Sequence, residues 1–223
     1  MAKLIFNNVG ERLFETGVKH GVLYLADEEG NYTTGVVWNG LTAVTESPSG
    51  AETTPLYADD VKYVVIYAAE EFGATIEAYT YPEEFEECDG SASLLSGLTV
   101  GQQTRRSFGM CYTTSVGNDV QGQDYGEKIH IIYGAKAAPS EKAYSTINDS
   151  PEAVTFSWEV STVPVPVNIS GKDYSPTATV VLDSTKLSAN QWEAITNKLY
   201  GTDTEEPQLP LPHEIYQIIN LIS

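Results

Sequence analysis

The chain has 223 residues, and its 12 Lys+Arg against 31 Asp+Glu give a formal charge of −19. Such a charge repels phosphate, which argues against ordinary nucleic-acid binding and against attachment to anionic membrane surfaces. No apolar run reaches the ~18 residues of a spanning helix, while 14 Tyr, 6 Phe and 3 Trp supply the aromatic core that disordered acidic chains lack.

In chain order, the N-terminal apolar stretch Leu4-Ile5-Phe6 is too short for the core of a secretory leader, so the chain is expected to stay in the compartment where it is made. Residues 21–26 and 34–38 are short β-rich runs. Asn39-Gly40 accepts the positive φ angles of a two-residue type I′ turn, which predicts a hairpin between 36–38 and 41–45. Residues 47–55 (SPSGAETTP) read as a long polar loop, a common place for contacts. Strands are predicted at 61–68 and 72–81. In the second, Phe72, Ala74, Ile76 and Ala78 alternate with Thr75, Glu77, Tyr79 and Tyr81. Pro82 opens a short helical turn through Glu87.

Further strands are expected at 107–115 and 128–135, with a polar loop over 118–126. Strands at 154–162 and 177–182 follow; in the former Val154, Phe156, Trp158 and Val160 point inward. One helix is clear: Ser188 caps it, Trp192, Ile195 and Leu199 share a face, and Gly201 ends it. Residues 1–202 thus form a β-domain with one flanking helix. Residues 203–223 are a Pro-rich linker and an apolar extension, whose Leu209, Leu211, Ile215, Ile218 and Ile219 dock on the chain's own body or on a neighbour.

The acid is uneven. Residues 46–90 hold twelve acids and one base, Lys62, for a local charge of −11. This is either a solvated face or one side of a passage. Chemistry-bearing motifs are absent: there is no Gly-rich phosphate loop, no Gly-x-Ser-x-Gly and no His-Glu-x-x-His. His20, His130 and His213 have no ligand spacing, and Cys88 and Cys111 form no metal or redox motif. Glu83, Glu84, Glu86 and Glu87 suit a solvated acidic surface better than a glycosidase pair, which needs one carboxyl in a part-apolar cleft. No cofactor is expected.

Several segments carry a resemblance. They are 37–44 (VWNGLTAV), 46–52 (ESPSGAE), 55–59 (PLYAD), 72–85 (FGATIEAYTYPEEF), 87–90 (ECDG) and 150–159 (SPEAVTFSWE). Together they resemble the major tail protein of long-tailed, siphovirus-type phages and prophages of Gram-positive bacteria, over roughly residues 20–200. The resemblance implies a mainly β fold, a tail-tube-type sandwich or barrel with one flanking helix and a long contact loop. It also implies a structural protein without catalysis, whose hexameric rings stack into a tube that conducts the genome.

Ring closure would pair each subunit's sheet edges with those of the next. Four strands from each of six subunits would make a ~24-stranded barrel, roughly 50 Å across its backbone with about 40 Å clear. An acidic lining would let DNA slide without binding it, and Glu77, with Glu70 and Glu71, is the candidate lining. The candidate ring-stacking loop comprises Ser47, Pro48, Ser49, Gly50, Ala51 and Glu52, flanked by Leu56 and Tyr57. The implied partners are further copies of the chain and the tape-measure, tail-terminator and distal tail proteins. The implied location is the virion tail, after assembly in the host cytoplasm. Two rival readings stay open: the tube of a contractile particle, and a carbohydrate-binding β-sandwich presenting Tyr79 and Tyr81.

Overall fold

The computed structural model describes residues 4–147, 149 and 153–222; Ser150, Pro151 and Glu152 of the resembling segment lie outside the described residues. The strands are β1 (Leu13–Leu25), β2 (Gly35–Trp38), β3 (Leu41–Glu46), β4 (Ser49–Gly50), β5 (Thr53–Ala58), β6 (Val61–Tyr67), β7 (Glu70–Glu71) and β8 (Gly73–Ala78). They continue with β9 (Ala92–Leu95), β10 (Leu98–Val100), β11 (Phe108–Asn118), β12 (Gly122–Ala137), β13 (Phe156–Thr162) and β14 (Thr179–Asp183). The helices are α1 (Glu86–Asp89), α2 (Ala189–Tyr200) and α3 (Pro212–Leu221). The chain is mainly β, built on a large antiparallel sheet.

That sheet runs β2-β1-β11-β12-β13-β8-β3, and β14 also pairs with β12. Strand β12 is shared: 128–132 pairs with β14, and 135–137 pairs with β13. Gly134 lies between the two pairings at φ 58°, where a Cβ would stand 2.1 Å from the Val163 carbonyl oxygen. Only glycine fits there, and the strand changes partner at this point. The sheet therefore rolls over on itself. Its two ends, β2 and β3, meet at Asn39-Gly40, and Leu41 lies over Gly21 of β1.

This corrects the predicted Asn39-Gly40 hairpin. Strand β2 pairs with β1, and β3 pairs with β8, so the two strands flanking the turn form no ladder. Gly40 takes φ 79°, but Asn39 is not among the positive-φ residues, so the turn is not type I′. The apolar residues of β2 and β3 were each claimed by a different wall of the roll. The predicted 118–126 loop is also shorter than expected, because β12 begins at Gly122.

Two cores lie on opposite faces of β1, β11 and β12. The inner one holds Leu23, Trp38, Ile76, Phe85, Phe108, Met110 and Trp158. Phe85 stacks among aromatics, with centroids 4.5 Å from Trp38, 5.0 Å from Trp158 and 5.4 Å from Phe108. Both indoles are satisfied: Trp38 Nε1 donates to Thr80 O at 3.0 Å, and Trp158 Nε1 donates to Asp89 Oδ1 at 3.1 Å. Asp89 is a buried carboxylate rather than one of the surface acids; Lys142 and Arg105 face it. Tyr81 turns in against Phe85, Phe156 and Trp158, not outward beside Glu77 as the alternation predicted. Cys88 and Cys111 are free and buried, and burial pushes both thiols up to about 12.

The outer core joins Val22, Tyr24, Ile129, Ile131 and Tyr133 to Ile195 and Leu199 of α2 and to the C-terminal segment. Ser188 and Gln191 cap α2 reciprocally, with the Gln191 side chain accepting from Ser188 N at 2.9 Å. The single predicted helix has a second beside it: Pro212 starts α3, and Glu214 accepts from Leu211 N at 2.7 Å.

Candidate assembly surfaces

Residues 47–55 are not a loop. They are the outgoing arm of one long antiparallel ribbon, and Thr53, Thr54 and Pro55 belong to β5. Its register is continuous from the sheet outward: Glu46 faces Ala74, Ser49 faces Glu71, and Thr53 faces Tyr67. A kink at Gly50 (φ 84°) and Ala51 (φ 53°) bends the arm. A Cβ on Gly50 would lie 2.4 Å from the Ala69 carbonyl oxygen, so glycine is required there. The tip is Asp59-Asp60, both at positive φ (51° and 61°), the geometry expected of a type I′ turn. Proline is tolerated at position 55 because both strands of a two-stranded ribbon are edges.

Behind the Asp59-Asp60 turn the ribbon is aliphatic on one face and largely aromatic on the other. Leu56 opposes Val64, Thr54 opposes Ile66 and Ala58 opposes Val61, which makes one face aliphatic. Those side chains are open: Leu56 is 45% exposed, Val61 60%, Val64 43% and Ile66 54%. The other face carries Tyr57 and Tyr67, with Lys62 opposite Tyr57 and Tyr63 at a bulge. Among the described residues, 48–71 hydrogen-bond only within the ribbon. An isolated two-stranded hairpin is at best marginally stable in water, and contiguous exposed apolar surface of this kind is uncommon on monomeric proteins. The Tyr-Ala-Asp-Asp-Val string between two β-rich runs was the available sequence signal for it.

The remaining candidate residues fall on three surfaces. Ser47, Pro48, Ser49, Gly50, Ala51 and Glu52 form the ribbon's base, while Leu56 and Tyr57 lie near its tip on opposite faces. Glu77 points away from the inner core on the open face of β3, β8 and β13, which it shares with Thr45, Thr75, Ser157 and Glu159. By alternation Glu71 continues that face and Glu70 takes the other. In the C-terminal segment, Leu209 and Ile215 are buried in the outer core, and Leu211, Ile218 and Ile219 pack against it. Tyr133 donates to Pro210 O at 2.7 Å, Leu209 N donates to Tyr32 O at 3.0 Å, and Tyr24 donates to Leu199 O at 2.6 Å.

Open sheet edges complete the picture. Strand β2 covers only 21–24 of β1, so Leu13 to His20 have a ladder on one side alone. Among the described residues, strand β14 pairs only with β12, and β3 pairs only with β8. Beside the β1 edge lies a polar network that the sequence did not announce. The Glu15 carboxylate accepts from Lys128 Nζ at 2.6 Å, from Thr114 Oγ1 at 2.6 Å, and lies 3.0 Å from His130 Nε2. Burial raises the Glu15 carboxyl, but these hydrogen bonds outweigh it and hold it at about 2.

No group of three or more His, Cys, Asp or Glu residues has metal-holding geometry among the described residues. Among them, too, no helix is long and apolar enough to cross a membrane. Glu83, Glu84 and Glu87 are exposed on the short helical stretch, and Glu87 pairs with Arg106 at 2.9 Å. With Tyr81 half-buried and its ring packed edge-on against the aromatic cluster, Tyr79 and Tyr81 form no open sugar platform.

No family model matches the chain, and no curated protein matches it. A solved structure resembles it: the extended-state sheath-tube complex of PVC, an extracellular contractile injection system. The match has a TM-score of 0.30 and 13% identity, and covers 73% of this chain and 88% of that one.

Proposed function

We propose that this chain is a structural tube subunit, which self-assembles into stacked hexameric rings that form the tail tube of a siphovirus-type phage of Gram-positive bacteria. The observation that carries the reading is the ribbon of β5 and β6, with an exposed aliphatic face and exposed tyrosines uncovered by its own chain. A domain that stays solitary gains nothing from such an arm, whereas one stacking on copies of itself buries it. The open edges of β1, β14 and β3 favour the same reading, since ring closure pairs edges that would otherwise aggregate.

In this reading the ribbon, with the 47–52 base and Leu56 and Tyr57, makes the ring-to-ring contact. The open face of β3, β8 and β13 lines the bore, and Glu77 and Glu159 keep phosphates sliding. The C-terminal segment seals the outer core of its own subunit. The subunit has no catalytic role and takes no cofactor. Its partners are its own copies and the tape-measure, terminator and distal tail proteins of a virion tail put together in the host cytoplasm, and DNA passes without specific binding. Electron microscopy of the purified protein, with sedimentation velocity across concentration, tests this. Rings or tubes with six-fold symmetry are expected; a particle that remains single at high concentration overturns it.

A further inference from the structure

Glu46 stands where the ribbon leaves the rolled sheet. It is the last residue of β3, on the same side as the core residue Val44, so its side chain reaches across the rim toward β11 and β12. There Tyr112 donates to Glu46 Oε1 at 2.8 Å. The Tyr112 ring stacks on His130, with planes 3° apart and centroids at 4.8 Å. His130 Nδ1 is buried without a hydrogen-bond partner and lies 3.6 Å from Glu46 Oε1, while its Nε2 meets Glu15 and Thr114.

One short chain of groups therefore links Glu15 on the open edge of β1, His130 on β12, Tyr112 on β11 and Glu46 at the root of the ribbon. Just beyond Glu46, Ser47 N donates to Gly73 O at 2.8 Å, and from residue 48 outward the strand makes no hydrogen bond to the body among the described residues. The returning strand has its own anchor, Thr162 Oγ1 donating to Phe72 O at 2.7 Å. From Glu46 to the tip the arm spans twelve residues, or roughly 40 Å at ~3.3 Å per residue. A small rotation at the root therefore sweeps the tip through many ångströms.

We infer that Glu46, held by Tyr112, is a positioning residue that fixes the direction in which the ribbon projects. The inference rests on the assembly reading for its purpose but not for its test, which is made on the single subunit. Spin labels at Lys62→Cys near the tip and Asn197→Cys on α2 report the distance between ribbon and body; the native cysteines are buried and stay unlabelled. In the otherwise unaltered protein a narrow distance distribution is expected. In Glu46→Gln combined with Tyr112→Phe its width at least doubles, while the thermal midpoint holds. Tyr112→Phe alone, which keeps the ring in the core, gives an intermediate width. An unchanged width in the double variant, or a broad one in the parent, overturns the inference. Absence of rings from the parent would instead count against the assembly reading, so the two failures are distinguishable.

Discussion

Replacing Leu56 and Ile66 together by Asp separates the ribbon's contribution to folding from its contribution to assembly. Both side chains already stand about half exposed in the single subunit, on the aliphatic face. Surface changes of this kind cost within about 0.5 kcal/mol of folding stability. Full burial of one such side chain is worth ~1.5–3 kcal/mol, so covering the remaining half yields about 1 kcal/mol each. Four residues of that face then supply ~3–6 kcal/mol per contact, equivalent to ~10²–10⁴ in an association constant. Two buried aspartates remove half of that gain and add a desolvation cost. The double variant is therefore expected to melt as the parent does and to fail to form rings or tubes at concentrations at least tenfold above the parent's threshold. Thermal melts followed by circular dichroism and sedimentation velocity measure the two arms. Assembly at the parent's threshold, or a loss of folding stability above ~2 kcal/mol, would falsify the reasoning, the first by removing the contact and the second by showing that the face is covered within the chain.

Other expectations follow from the same geometry. Ile215→Ala opens a gap in the outer core and costs about 2–5 kcal/mol in urea unfolding; a cost near zero would mean that the C-terminal segment is not docked. The Glu15 carboxyl is lower in the folded chain, about 2 against 4.5 unfolded, so its stabilisation is complete above pH 4.5 and disappears as the pH falls through about 2. Stability curves of the parent and of Glu15→Gln should thus differ at neutral pH and converge near pH 2; a constant gap across that window refutes the assignment. Glu77→Lys with Glu159→Lys reverses charge on the open sheet face, and tubes carrying both should slow genome ejection measured by dye release. Unchanged ejection would take that face out of the bore.

How much was legible in the sequence depends on the range of the interaction. Local signals sufficed for the Ser188 cap, the α2 stripe of Trp192, Ile195 and Leu199, and the inward Phe156, Trp158 and Val160 of β13, because capping and periodicity act within one or two turns, though not for Val154, which precedes the strand. The buried thiols also follow from residue type. The Asn39-Gly40 pair misled because a turn dipeptide specifies a bend, while strand pairing is decided by which wall of the roll claims each side. Thr53-Thr54-Pro55 looked like a loop because proline and small polar residues are rare in covered strands, yet an uncovered ribbon admits them.

The sequence by itself determined a β-rich, acidic chain with an aromatic core, a capped helix and an apolar terminus, since composition and short-range pattern govern those properties. Only the tertiary structure decided that β12 divides its pairing at Gly134, that Asp89 lies inside among cations, and that Glu15, Glu46, Tyr112 and His130 converge on one rim. Those outcomes join residues separated by tens of positions. Their contacts arise only once the sheet has rolled, and no local pattern encodes the register in which it does so.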